Sequence, residues 1–462
     1  MWSRRHALGV GGLAALGLSL PTFLRAQEQS QLSRPVPRTG RGKAKSCILF
    51  FMEGGPSHID LWDMKPNAPA QVRGIYKPIS TSVPGLQISE QLPSWAPIMR
   101  HLSVIRSVSH SIVDHNAGSY YALTGHFPMR GSQLIRRPSR DNAPPIGAVL
   151  AKLKPSGQAL PDFVHLPRRM INCGSFIPAQ LAGFLGDTYD PFFAGDPSKA
   201  DYKVPGLAPL EGLSQRRLEQ RQSLLQQVRG LSDIDEDPST ERLDRYYKKA
   251  YSLVTSPLAR EAFRLDKEPE PVRRKYGIQE ADLKDGNELS HLCASMLLAR
   301  RLIETGVRLV TVWAGNQAFD THKNHFQTMN RLCPYLNRSF AALIEDLFEK
   351  DLLDETLVVA ISEFGRTPRL GQVTSSAGAD SEGRDHWPHC YTAFMAGGGI
   401  QPGTVYGASD GLAAYPKQNP VTPQDVVATI YTALGVDPKT RLRDGLNRPH
   451  SLTEGQPIEA LF

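Results

Sequence analysis

The feature that most constrains the fold is a repeated one: an apolar run of strand length that stops at small or polar residues and then delivers acids and histidines. It is clearest at residues 307–325, where an apolar stretch ending at Trp313 breaks at Ala314-Gly315-Asn316 and leads to Asp320, His322 and His325. Val, Thr and Trp favour a strand, and Gly-Asn ends one. Residues 46–52 run likewise into Glu53-Gly54-Gly55-Pro56-Ser57-His58-Ile59-Asp60, and residues 102–108 into a loop that carries Asp114 and His115. Residues 356–362 stop at Glu363-Phe364-Gly365-Arg366, and Asp385-His386 follows a Ser/Gly/Asp-rich segment. Runs that are apolar throughout, rather than alternating, mark strands buried on both faces, as in parallel sheets. Open α/β sheets carry their chemistry at the carboxyl ends of such strands. The expected fold is therefore α/β, a doubly wound, mostly parallel sheet with several acid- and histidine-bearing loops on one rim.

Helical segments fall where crossover connections require them. Residues 117–124 read as a helix closed by Gly125, 292–305 as an amphipathic helix stopped by Gly306, and 332–350 as another. Thr422-Pro423 gives an N-cap and first-turn proline for a helix reaching Leu434. Between about 208 and 290 charges are dense and strand-like runs are missing, which reads as a helical insertion with solvated faces. Residues 46–462 are then one α/β domain carrying that insertion, preceded by a Ser/Pro/Arg/Gln-rich linker at 27–45.

The first 26 residues set an expected destination. Arg4-Arg5 precede a weakly hydrophobic Gly/Ala/Leu run, the pattern of a twin-arginine signal peptide, so the twin-arginine export machinery is an expected partner. The mature chain is expected in the periplasm or secreted, or tethered to the membrane by an uncleaved leader, with no further transmembrane segment. Three of the cations behind the net charge of +7 (Arg4, Arg5 and Arg25) belong to the leader, and no strong basic run follows, so a nucleic-acid partner is not expected. The five cysteines, Cys47, Cys173, Cys293, Cys333 and Cys390, form no CxxC pair and read mostly as buried small hydrophobes.

Carboxylate oxygens and neutral imidazole nitrogens both ligate divalent metals, and several strand ends bearing them would meet on one rim. Asp320, His322, Glu363, Asp385 and His386 are the candidates, as is the acid after the first strand. Zinc, calcium, magnesium or manganese, one ion or two, would be the cofactor. Arg366 and Arg369 offer forks suited to phosphate or sulfate oxygens, and equally to surface ion pairs.

Taken in order, GGPSHID, HN(x)6LTG, GFLG(x)3DPF, FDTH, SEFGRTPR and GRDHWP resemble the bacterial family catalogued as domain of unknown function 1501. The family is similar to a branch of the alkaline phosphatase and sulfatase superfamily. The resemblance implies an alkaline phosphatase-like sheet with a bimetallic site. It puts a metal-binding carboxylate after the first strand, at Asp60 or alternatively Glu53. It matches Asp320 and His322 to an Asp–His ligand pair at shortened spacing, and His386 to the last ligand histidine, with Asp385 beside it. Glu363 and Phe364 stand where the superfamily has Asp-His. The superfamily's nucleophile falls ten residues before the glycine of a Thr-Gly pair; here that position holds His115 rather than Ser, Thr or a modifiable Cys. His115 is then a metal ligand, a phosphohistidine-type nucleophile or a mark of lost activity. The implied activity is metal-dependent hydrolysis of small-molecule or polysaccharide phosphate or sulfate esters. His115 would act at the reacting centre, Arg366 would steady the anion, and water would attack in place of a side-chain alkoxide. The alternative is a catalytically inactive sulfatase-like envelope protein that binds glycans or protein partners.

Overall fold

The computed structural model describes residues 40–204, 206–207, 251–278 and 290–462, with eight isolated positions between 216 and 247. The leader, most of the linker and most of the expected insertion lie outside the described residues. A central sheet of eight strands organises the rest: β1 (Ser46–Phe51), β2 (Leu102–Val108), β3 (Phe163–Leu166), β4 (Phe192–Phe193), β5 (Leu309–Trp313), β6 (Thr356–Ile361), β7 (Tyr391–Ala396) and β8 (Val405–Tyr406). Their spatial order is β4-β3-β5-β1-β6-β7-β2-β8. All neighbours pair in parallel except β7, which runs antiparallel to both β6 and β2. The fold is the expected one, a doubly wound and mostly parallel α/β sheet.

The apolar runs are explained by what covers them. In β1, Ile48 and Phe50 join one hydrophobic core, and Cys47, Leu49 and Phe51 join another on the opposite face. The first core is completed by α5 (Ser290–Glu304) and α6 (His325–Glu349), through residues such as Leu298 and Phe340. The second is completed by α1 (His115–Thr124), α2 (Ile146–Leu153) and α7 (Pro423–Ala433), through Leu123, Val149 and Ile430. Strands sandwiched between helices on both faces have no polar side, so alternation is lost and the run stays apolar. Two short helices, α3 (Pro257–Ala262) and α4 (Glu270–Lys275), lie in the region expected to be a helical insertion.

Helix ends were less legible than strands. α6 begins at His325, seven residues before the expected start at 332, with Phe326 and Met329 already on its buried face, and continues through Pro334. No described helix is long and apolar enough to cross a membrane.

Candidate metal centre

The parallel order puts the carboxyl ends of β1, β5 and β6 side by side, and glycines bring the loops around them into close contact. Gly54, at φ 102°, lies so close to the β5 loop that a Cβ there would come within 2.6 Å of the Asp320 amide nitrogen. Gly383 meets the His322 carbonyl in the same way. Glycine at these two points is what lets three loops converge on one spot.

At the centre is Asp320, whose Oδ1 lies 2.9 Å from His322 Nε2, 3.3 Å from His115 Nε2, 3.3 Å from His386 Nε2 and 2.5 Å from Arg366 Nη2. The other nitrogen of each imidazole is already engaged. His322 Nδ1 donates to the Gly378 carbonyl at 2.6 Å, His386 Nδ1 to the Val113 carbonyl at 2.7 Å, and His115 Nδ1 to Glu363 Oε1 at 2.7 Å. Because a carbonyl oxygen only accepts, these bonds place the proton on Nδ1 and leave an Nε2 lone pair in each neutral ring. The Nε2 atoms of His322 and His386 are only 3.0 Å apart. Lone pairs facing one another beside a carboxylate call for a cation between them, and Nδ1 anchoring of this kind is how ligand histidines are oriented.

Electrostatics agree. Burial alone would raise the Asp320 pKa, but Arg366 and the three imidazoles hold it far below the usual carboxylate range. Burial works against a charge on His115, yet its bonds to Asp320 and Glu363 outweigh that and lift its pKa to about 10. Burial lowers the pKa of His386. With no cation present, then, one proton on His115 is the charge that balances the cluster.

A second group adjoins the first and shares His115: Glu53, His115 and Glu363 also bring ligand atoms within 4.8 Å of one another. Glu363 Oε1 accepts from the Gly54 amide at 2.7 Å, while its Oε2 is buried without a hydrogen-bond partner. Glu53 is held by Asn172 Nδ2 at 2.5 Å and by the Gln317 amide. Burial, followed by the Glu363 charge, raises the Glu53 pKa above the ordinary carboxylate range. The residues present therefore fit a metal best at the His115–Asp320–His322–His386 group, with the orphaned Glu363 oxygen marking a second position.

Not every sequence-predicted residue is in this cluster. Asp60 is outside it: its carboxylate takes Arg384 Nε at 2.7 Å and Nη2 at 3.2 Å, His325 Nε2 at 3.0 Å and Ser57 Oγ at 2.6 Å. The carboxylate that turns toward the cluster after β1 is Glu53. Asp385 is also outside, accepting from the Thr374, Ser375 and His386 amides and from Ser375 Oγ. It fixes the loop whose Gly378 carbonyl holds His322. Arg366 is buried and spends its donors on the Gly54, Gly55 and Arg384 carbonyls and on Asp320, so its fork positions Asp320 and is not turned to a substrate anion. Phe364, in place of a superfamily histidine, packs its ring 4.8 Å from that of His115 and 4.6 Å from that of His386. Sequence reasoning did not find Asn172 and Gln317. Asn172 ends the first strand of a small hairpin and Gln317 lies in the loop after β5; neither belongs to a motif, and only the fold brings them to Glu53.

Residues 44–462 match the family described as protein of unknown function, DUF1501. The chain belongs to that family. None of the curated proteins matches this DUF1501 sequence. Solved structures similar to it include Ps i-CgsB in complex with k-i-k-neocarrahexaose, at 12% identity and TM-score 0.38 over 85% of this chain and 72% of that one. A variant of TAB5 alkaline phosphatase with magnesium bound is similar at 11% identity and TM-score 0.37, over 85% and 99% of the two chains. PsFucS1 sulfatase from Pseudoalteromonas sp. is similar at 13% identity and TM-score 0.36, over 89% and 70%. At these identities and scores the likeness says nothing about chemistry, which has to be read from the DUF1501 site itself.

Proposed function

We propose that this DUF1501 chain is an exported, metal-dependent hydrolase of phosphate or sulfate esters. The observation that carries the proposal is the convergence of three Nδ1-anchored imidazoles and the Asp320 carboxylate on one point, with no hydrogen-bond donor between the His322 and His386 Nε2 atoms. Three nitrogen donors and one oxygen donor suit zinc better than calcium or magnesium, which prefer all-oxygen sets. A bound divalent ion would supply a Lewis acid for an ester oxygen.

The protein's own residues do the rest. Arg366 keeps Asp320 anionic and fixed. Glu363 holds the His115 ring through Nδ1, so that Nε2 faces the cluster. Glu53, with its raised pKa, retains a proton at a pH where an ordinary carboxyl has lost it, the condition for a general acid beside a leaving oxygen. No hydroxyl or thiol replaces His115 at the superfamily's nucleophile position, which favours water as the attacking group. Export through the twin-arginine route, suggested by Arg4-Arg5, fits a protein folded around its metal before transport.

The absence of a free fork at Arg366 favours a second reading, a silent envelope protein that binds glycans or partners. Metal-replete protein tested on aryl phosphates, phosphodiesters and aryl sulfates separates the two. Turnover lost on chelation and in His322→Ala supports the hydrolase; a full metal complement with no turnover across the panel rejects it.

A further inference from the structure

A second surface on the same rim is built for negative charge. Beyond the edge strand β4, residues from Pro197 to Val204, with Leu207, face α3, α4 and the segment joining them across a cavity of about 610 Å³. That volume is in the range of ligand clefts, ~300–1,000 Å³. Lys199, Lys203, Arg260 and Arg273 line it, and none has an acidic partner among the described residues. Arg273 Nε is shielded from solvent and has no hydrogen-bond partner among the described residues. Asp266 is the only carboxylate on the described lining, and Arg264 takes it at 2.6 Å. The floor is apolar, with Leu207, Phe263 and Ile278. An apolar floor lowers the local dielectric and strengthens the field of the cations around it.

Topology fixes where this groove lies relative to the metal centre. β4, β3, β5 and β1 are consecutive parallel neighbours, so their carboxyl ends share one rim. The groove's first wall follows the carboxyl end of β4. Its floor includes Ala294, in the first turns of α5, where His291 approaches Gly315 in the loop after β5. Exposed Arg169 joins β4 to the hairpin beside the centre, with its guanidinium 5.0 Å from the Phe193 ring centre and 5.7 Å from that of Phe176. Phe176 belongs to the small hairpin whose Asn172 holds Glu53.

We infer that this groove binds a second anionic group of an extended substrate, a chain bearing repeated sulfate or phosphate esters, while one ester of that chain occupies the metal centre. The inference rests on the ester-hydrolase reading for what happens at the centre, but not for binding in the groove. A substrate with a single charge would leave Lys199, Lys203, Arg260 and Arg273 without a role; a polyanion uses both sites at once, and the joined contacts raise its affinity.

Binding is measured without turnover, by titrating the full chain with dextran sulfate, with long-chain polyphosphate and with neutral dextran, at low and at high salt. Dextran sulfate or polyphosphate is expected to bind, with affinity falling as salt rises, and neutral dextran is not. The quadruple variant K199Q/K203Q/R260Q/R273Q is expected to lose at least about tenfold in affinity for the polyanion, as four lost exposed ion pairs imply. A variant with the same charge change elsewhere, K77Q/K417Q/K439Q/R441Q, controls for net charge and is expected to stay within about twofold. Equal loss in both variants, loss in neither, or equal binding of neutral dextran overturns the inference. If small esters are turned over but polyanions do not bind, the groove falls and the hydrolase stands; if polyanions bind through the groove but nothing is turned over, the reverse holds.

Discussion

Two buried carboxylates on the same rim, Asp60 and Asp320, each meet an arginine and a histidine, yet they form different kinds of site. Around Asp60 every neighbour is a donor: the Arg384 fork, Ser57 Oγ, and His325 Nε2, whose other nitrogen faces the Thr321 hydroxyl at 2.7 Å. The network is complete as it stands. Around Asp320 three imidazoles have spent their Nδ1 protons on Gly378, Val113 and Glu363 and turn lone pairs inward. That arrangement of inward nitrogens around a carboxylate is the one a metal ion uses. Composition does not separate a structural ion pair from a ligand site; the direction of the donors does.

The largest effect should come from breaking the complete network. Asp60→Asn leaves Arg384 buried and uncompensated, and a loss of about 3–5 kcal/mol in unfolding free energy is expected. Denaturant unfolding reads it, and the metal content of the folded fraction should not change. An Asp60→Asn protein that is fully stable but metal-free would erase the distinction.

Acid sharpens the comparison next. His110 is buried, donates to the Glu363 carbonyl, and has its pKa lowered by burial to about 4. A lowered folded-state pKa gives stability that is present above the unfolded value of about 6.5 and is lost as pH falls toward 4, here roughly 3 kcal/mol. The Asp60 contribution, also from a lowered pKa, is lost only at still lower pH, below the ordinary carboxylate value of about 3.9. Unfolding free energy measured from pH 7 to 3 should show the first loss above pH 4, with a shallower slope in His110→Gln.

Opening the incomplete network should affect metal before stability. His322→Gln is expected to weaken metal affinity by more than about 100-fold, beyond what losing a supporting residue causes. Competition with a chromophoric chelator measures it. The smallest effect belongs to Asp385→Asn, which loosens the loop behind Gly378 and the 3.4 Å approach of Asp385 Oδ1 to His322 Nδ1 but removes no inward-facing ligand atom: about tenfold in the same assay. If Asp385→Asn matched His322→Gln, Asp385 would belong in the cluster.

These contrasts also show what the sequence could disclose. Strands buried on both faces are legible because burial removes their polar positions; 102–108 coincides with β2, and 46–52 and 356–362 exceed β1 and β6 by one residue. Of the candidates that do meet, His115, Asp320, His322 and Glu363 were visible as polar residues after strands, and His386 as part of the GRDHWP motif after a Ser/Gly/Asp-rich segment. Asp60 and Glu53 were not separable, because both follow β1 and only the approach of Gly54 to the β5 loop decides which one turns inward. Arg366 looked available because an arginine's partners here are backbone carbonyls, which leave no trace in sequence. The first turns of α6 were legible in principle, since Phe326 and Met329 continue the apolar spacing of Leu332 and Leu336; the polar residues between them hid it.

Elemental analysis of the purified, metal-replete protein beside its His322→Ala variant tests the central claim most directly. At least one tightly held divalent ion per chain is predicted in the unsubstituted protein, and its loss in the variant. Less than one ion per chain in the unsubstituted protein, or the same content in both, would contradict a metal centre at Asp320.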